Sequence, residues 1–223
     1  MWEPQLAALA PRFRVLRIDH PGHGGSLVTD ACTIEALARD ALALLDELGL
    51  DRVSWCGLSL GGMLGMRIAL DAPDRLRRLV LCSTSPYMPP RELWEERAAT
   101  VRREGMDAIA DTVVERWLTP SSPHRQRFRD MVASTDPEGY ARCCEAIRDW
   151  DIRAELPRIR TPTLVLGASD DPSTPPPEHT EPIARAVPGA RLEVVPDARH
   201  LVTAERADEV NRLLLEHLDA SAE

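Results

Sequence analysis

The chain has 223 residues, 43% of them hydrophobic, enough to bury one substantial core. A formal charge of −9 excludes the basic face that nucleic acid or an anionic membrane needs in a partner, and no run of about 18 apolar residues is present to span a bilayer. Five cysteines, Cys32, Cys56, Cys82, Cys143 and Cys144, are odd in number and lack C-x-x-C spacing, which speaks against a disulfide framework or a zinc site. Met1 to Gln5 show neither the basic patch nor the apolar core of a signal peptide, and a cytoplasmic protein is expected.

Short apolar runs bounded by Gly, Pro and Asp alternate along the chain with segments of helical period, the pattern of a mostly parallel sheet flanked by crossover helices. Arg14 to Ile18 reads as the first strand. In the helix that follows, Leu37, Ala41, Leu44, Leu45 and Leu48 recur at three- and four-residue spacing, with Thr33 placed to cap its start and Gly49 to end it. Val53 to Cys56 is the next strand and leads through Gly57-Leu58-Ser59-Leu60-Gly61-Gly62 into an apolar helix, after which Leu79 to Cys82 is a further strand. From residue 86 to 150 the strand signal disappears and a charged, arginine-rich helical insertion carries Trp94, Trp117, Phe128 and Trp150. Strands resume at Thr163 to Leu166 and Leu192 to Val195, and a helix over 204–218 closes the chain. The expected organisation is an α/β core over 1–85, a helical cap over 86–150, and the rest of the core over 151–223.

Gly57-Leu58-Ser59-Leu60-Gly61 is G-x-S-x-G between a strand and a helix, the context in which that motif carries chemistry. Flanking glycines permit a sharp turn that pushes the Ser59 hydroxyl out at the carboxyl edge of the sheet, where the Leu60 N–H faces any oxyanion that forms. The alternative is a merely structural glycine-rich turn. A serine nucleophile needs a base, and the base a carboxylate to fix its tautomer, acid before base in chain order. Gly167 to Pro175 is an acidic loop leaving a strand, with Asp170 and Asp171 both eligible; His200 follows the last strand. His124, His179 and His217 have no partner pattern and read as surface residues.

Four segments give the chain a specific resemblance. Asp19-His20-Pro21-Gly22-His23-Gly24-Gly25-Ser26 looks like the D-x-x-G-H-G-x-S stretch of α/β-hydrolases, Gly57 to Met63 is similar to the nucleophile elbow of the 3-oxoadipate enol-lactonases, and Tyr140 to Trp150 resembles that family's passage from cap to core. Asp171-Pro172-Ser173-Thr174-Pro175 looks like the family's acid loop, which favours Asp171 over Asp170, although the loop glycine usually lies one place later than Gly167. The resemblance covers essentially the whole chain. It also shows a departure: Met1-Trp2-Glu3-Pro4-Gln5-Leu6 resembles a segment that family members reach only after three strands and an H-G loop, and that loop ordinarily donates a second oxyanion N–H. From this chain the Leu60 N–H alone is therefore expected at the oxyanion. Arg14 to Ile18 is expected to pair directly with Val53 to Cys56, since the helix between them is long enough for a crossover; recruitment of a second copy, giving a homo-oligomer, is the other way to cover the edge.

The resemblance implies an α/β-hydrolase fold and hydrolysis of an enol-lactone to 3-oxoadipate in the β-ketoadipate route of aromatic degradation, by Ser59, Asp171 and His200 and without metal or organic cofactor. The substrate is a small lactone or ester bearing a free carboxylate. Arg148, in the family-like cap segment, is the candidate to hold that carboxylate, against an ordinary ion pair on the cap. Trp117 and Trp150 are candidate pocket walls, against plain core. Other esterases, acyltransferases and cofactor-free haloperoxidases share the same triad, and an impaired remnant or interaction protein is the reading from a different class.

Overall fold

The computed structural model describes residues 1–29 and 32–219. Four strands, β1 (Val53–Leu58), β2 (Leu76–Cys82), β3 (Thr163–Ala168) and β4 (Arg191–Val195), form one sheet in the order β1-β2-β3-β4, every pair parallel. Their apolar runs follow from burial on both faces. In β2, Leu79 and Leu81 enter one core with helices α2 (Ile34–Glu47) and α3 (Leu60–Asp71). Val80 and Cys82, pointing the other way, enter a second core with Leu164 and Leu166 of β3 and with Val210, Leu213 and Leu214 of α10 (Ala207–Asp219). Thr33 caps α2, its hydroxyl accepting from the Ala36 N–H at 3.1 Å, and Gly49 leaves the helix at φ 64°. Helix α8 (Thr180–Ala186) joins β3 to β4, and the short α9 (Val202–Glu205) precedes α10.

Between β2 and β3 the chain forms four helices, α4 (Arg91–Glu104), α5 (Asp107–Trp117), α6 (Arg125–Ala133) and α7 (Pro137–Arg148). Their base is closed by an antiparallel bridge between Tyr87 and Asp151 and by the Trp150 indole N–H, which donates to the Ser85 carbonyl at 3.0 Å.

Arg14 to Ile18 departs from expectation. It forms no strand, no described strand precedes β1, and the outer edge of β1 has no partner among the described residues. Val15, Leu16 and Ile18 are 37%, 43% and 38% exposed, far from the burial of a central strand. Tethers on either side account for this. Helix α1 (Glu3–Leu9) is anchored on α9 and α10, where the Gln5 side-chain amide donates to the Thr203 carbonyl at 2.9 Å and Asn211 donates to the Pro4 carbonyl at 3.3 Å. On the other side Gly22 lies so close to α7 that a Cβ on it would stand 2.4 Å from the Gly139 Cα. The segment between spans a wide cleft instead of closing onto β1.

The turn after β1 also divides its glycine roles differently from the motif. A Cβ on Gly57 would fall 2.0 Å from the Gly61 carbonyl oxygen, and one on Gly62 would fall 2.7 Å from Thr84, whereas one on Gly61 meets nothing within 4 Å. Gly57→Ala is therefore expected to cost about 1–3 kcal/mol or more by forcing backbone apart, and Gly61→Ala to stay within about 1 kcal/mol of the parent. Urea midpoints of the two variants test this; equal losses would contradict it.

Candidate active site

Ser59 sits between the end of β1 and the first turn of α3 with φ 53° and ψ −115°, a conformation that costs a non-glycine residue about 1–3 kcal/mol. Four backbone-directed hydrogen bonds hold it there. The Ser59 N–H donates to the Cys82 carbonyl at 2.9 Å, and its own carbonyl accepts from the Thr84 hydroxyl at 2.6 Å, the Gly62 N–H at 2.9 Å and the Met63 N–H at 3.1 Å. Leu60 opens α3, so its N–H belongs to the first turn, where no preceding carbonyl of the helix is available to it.

Asp171 leaves the carboxyl end of β3 and His200 follows β4, so both arrive at the same edge of the parallel sheet as Ser59. The His200 Nδ1 lies 2.8 Å from Asp171 Oδ2, and the two residues are only 4% and 3% exposed. The rest of the carboxylate is filled locally: the Ser173 N–H donates to Oδ1 at 2.7 Å, the Thr174 N–H to Oδ1 at 3.1 Å and the Thr174 hydroxyl to Oδ2 at 2.6 Å. Burial by itself raises the Asp171 carboxyl pKa. The adjoining His200 and the donors from Thr174 and Ser173 outweigh it and hold the group below the usual carboxylate range. Asp170, by contrast, is exposed, and its carboxylate accepts from the neighbouring Ser169 hydroxyl at 2.8 Å.

Ser59, Leu60 and His200 line one cleft, which also takes in Trp117. Arg148 does not line it: its guanidinium is held by Asp149 at 2.7 Å and Glu95 at 3.6 Å on the outside of α7. Trp150 is buried at the base of the four helices and donates to Ser85, away from the cleft lining. His179, expected on the surface, is half-buried in the cleft wall, with Nδ1 2.7 Å from the Ser85 hydroxyl. That hydroxyl gives its one proton to the Tyr87 carbonyl, so His179 Nδ1 must be the donor and Nε2 is left as an acceptor. Burial lowers the His179 pKa, which favours this neutral ring. The sequence signal that would have found it is its place in the same loop as Asp171, four residues past Pro175. Among the described residues no cluster of three or more His, Cys, Asp or Glu is arranged to hold a metal ion, and no helix is long and apolar enough to cross a membrane.

Fold and sequence together make the chain a member of the alpha/beta hydrolase family, whose model matches residues 1–213. Among its relatives is 3-oxoadipate enol-lactonase 2 of Acinetobacter baylyi, 35% identical over 180 residues, which cover 78% of this chain and 67% of that protein. The enol-lactonase from Burkholderia xenovorans LB400 superposes with a TM-score of 0.94 at 40% identity, covering 98% of this chain and 86% of the other. A thermophilic esterase from Thermogutta terrifontis, solved with malate bound, gives 0.92 at 33% identity over 98% and 84%. The resemblance to enol-lactonases read from the sequence holds.

The lowered Asp171 pKa fixes the sign of a pH effect. Its stabilisation is complete above the unfolded-state value of about 3.9 and is lost as pH falls through the lower folded value. Asp171→Asn should lower the urea midpoint at pH 7, and the gap from the parent should narrow as pH falls from about 4 downward. A gap for Asp171→Asn that is constant down to the acid transition would contradict the assignment.

Proposed function

We propose that this chain is a serine hydrolase that opens an enol-lactone of the 3-oxoadipate type through an acyl-enzyme. The observation that carries the reading is the buried Asp171–His200 pair, whose histidine lines the same cleft as a serine held at positive φ. With Nδ1 donating to Asp171, the His200 Nε2 is the free base. It takes the Ser59 proton as Oγ bonds to the lactone carbonyl carbon, and the Leu60 N–H stabilises the oxyanion. Collapse of that intermediate breaks the ring C–O bond. The leaving oxygen departs as a conjugated enolate and takes up the proton held by His200, which restores the neutral base, while the acyl chain remains on Ser59. A water deprotonated by His200 then attacks the acyl carbonyl and frees the serine. Carbonyl polarisation and proton transfer are both supplied by protein groups, and the reaction as written uses no cofactor.

Likeness to enol-lactonases, one from a solved structure, supports this substrate class. A simple carboxylic ester is the second reading, favoured by the likeness to the Thermogutta esterase, and the malate bound to that protein is itself an acidic ligand.

Ser59→Ala should lower lactone and ester hydrolysis by at least about 10⁴-fold while the thermal transition stays near that of the parent. Asp171→Asn should lower turnover by about 10³- to 10⁴-fold through loss of the tautomer, and Asp170→Asn by less than about tenfold. Comparing kcat/KM for 3-oxoadipate enol-lactone with that for p-nitrophenyl butyrate decides between the two readings: a preference for the ester sinks the lactonase assignment. Substantial activity in Ser59→Ala sinks the acyl-enzyme.

A further inference from the structure

Arg97 on α4 and Arg116 at the end of α5 both line the cleft that contains Ser59 and His200, and both are half-buried. Several other arginines nearby are neutralised. Arg91 pairs with Asp149 at 2.8 Å, Arg102 with Glu138 and Glu145 at 2.7 and 2.5 Å, and Glu115 holds Arg125 and Arg199 at 2.7 and 3.1 Å. Arg97 and Arg116 have no carboxylate at ion-pair distance among the described residues. Arg97 instead lies over the Trp94 ring, 4.9 Å from its centroid. Arg116 is fixed by one nitrogen, which donates to the Pro172 carbonyl at 2.7 Å, directly beside the Asp171 loop.

Two uncompensated cations near one another in an acidic protein are an electrostatic cost. Burial lowers the Arg116 pKa and the Arg97 charge lowers it further, with Asp171 acting in the opposite sense. In a chain of net charge −9, with acidic side chains abundant on the cap, leaving this pair without a partner makes physical sense where an incoming anion supplies the missing charge. Stacking on Trp94 and the anchor to Pro172 restrict the guanidinium groups, so less rotamer freedom is lost when a ligand arrives.

We propose that Arg97 and Arg116 together form an anion subsite that receives a carboxylate of the substrate, apart from the carbonyl that Ser59 attacks. This deepens the proposed hydrolase reading and rests on it for the location of the reacting carbonyl, but the subsite is specified by charge and does not require the substrate to be a lactone. Substrates with an ester or lactone carbonyl at one end and a free carboxylate at the other are the class it selects. The carboxylate would take donors from two guanidinium groups on different helices, which also couples its binding to the way α4 and α5 pack over the cleft.

The test compares two esters of equal length, mono-p-nitrophenyl glutarate and p-nitrophenyl pentanoate, and reads the ratio of their kcat/KM values. Each charge-assisted contact is worth about 1.5–3 kcal/mol, so Arg97→Gln and Arg116→Gln should each lower the glutarate-to-pentanoate ratio by about 10- to 100-fold, and Arg97→Lys should fall in between. Independently of turnover, adipate binding to the parent protein by calorimetry should weaken at least about tenfold in either Gln variant and with rising salt. An unchanged ratio, equal adipate affinity in all variants, or no saturable adipate binding to the parent overturns the subsite. Failure to hydrolyse the enol-lactone, with the ratio still falling in the variants, removes the lactonase reading and leaves the subsite standing.

Discussion

All four strands run in one direction, and the site depends on that constraint. A parallel strand must return by a crossover, so every loop that leaves a carboxyl end emerges on the same edge of the sheet. The loops after β1, β3 and β4 carry Ser59, Asp171 and His200, which lie far apart in sequence and share that edge. The sheet holds this arrangement because both of its faces are buried, the alternate side chains of β2 entering separate cores. Strain at Ser59 is sustained by the same framework: Cys82 and Thr84, at and just beyond the end of β2, provide two of the hydrogen bonds that hold the turn.

The four helices between β2 and β3 are more than a cover. The end of α5 is joined to both loops that bear Asp171 and His200. Arg116 donates to the Pro172 carbonyl, the Leu201 N–H donates to the Trp117 carbonyl at 3.0 Å, and the Thr119 N–H and hydroxyl both donate to Glu205. A shift of α5 would therefore be felt at Asp171 and His200 as well as at the cleft wall. On the opposite side of the cleft the structure is looser in its pairing, since the outer edge of β1 is unpaired among the described residues and the segment after α1 spans the opening without joining it.

By itself the sequence determined the elements whose causes are local. The strand–Gly–x–Ser–x–Gly–helix stretch, the Thr33 cap and the alternation of apolar runs each depend on residues a few positions apart, and the corresponding strands and helices occur where these patterns lie. The loop positions of Asp171 and His200 were legible from chain order, and resemblance selected Asp171 over its neighbour. Tertiary structure decided the matters that depend on distant partners. Residues 14–18 have the composition of a strand but gain no ladder, because contacts of α1 with α9 and α10 and of Gly22 with α7 fix both ends of the segment away from β1. Gly62, and not Gly61, proved to be the close approach on the helix side of the turn, since the obstacle is Thr84 from the neighbouring strand's end. Arg148 has the same side chain as Arg97 and Arg116, yet it is turned outward to Asp149 and Glu95 while they line the cleft. Helical periodicity distinguishes the faces of one helix, but which face meets the cleft is set by how α4, α5 and α7 pack on one another and on the sheet, and that packing is a property of the assembled chain.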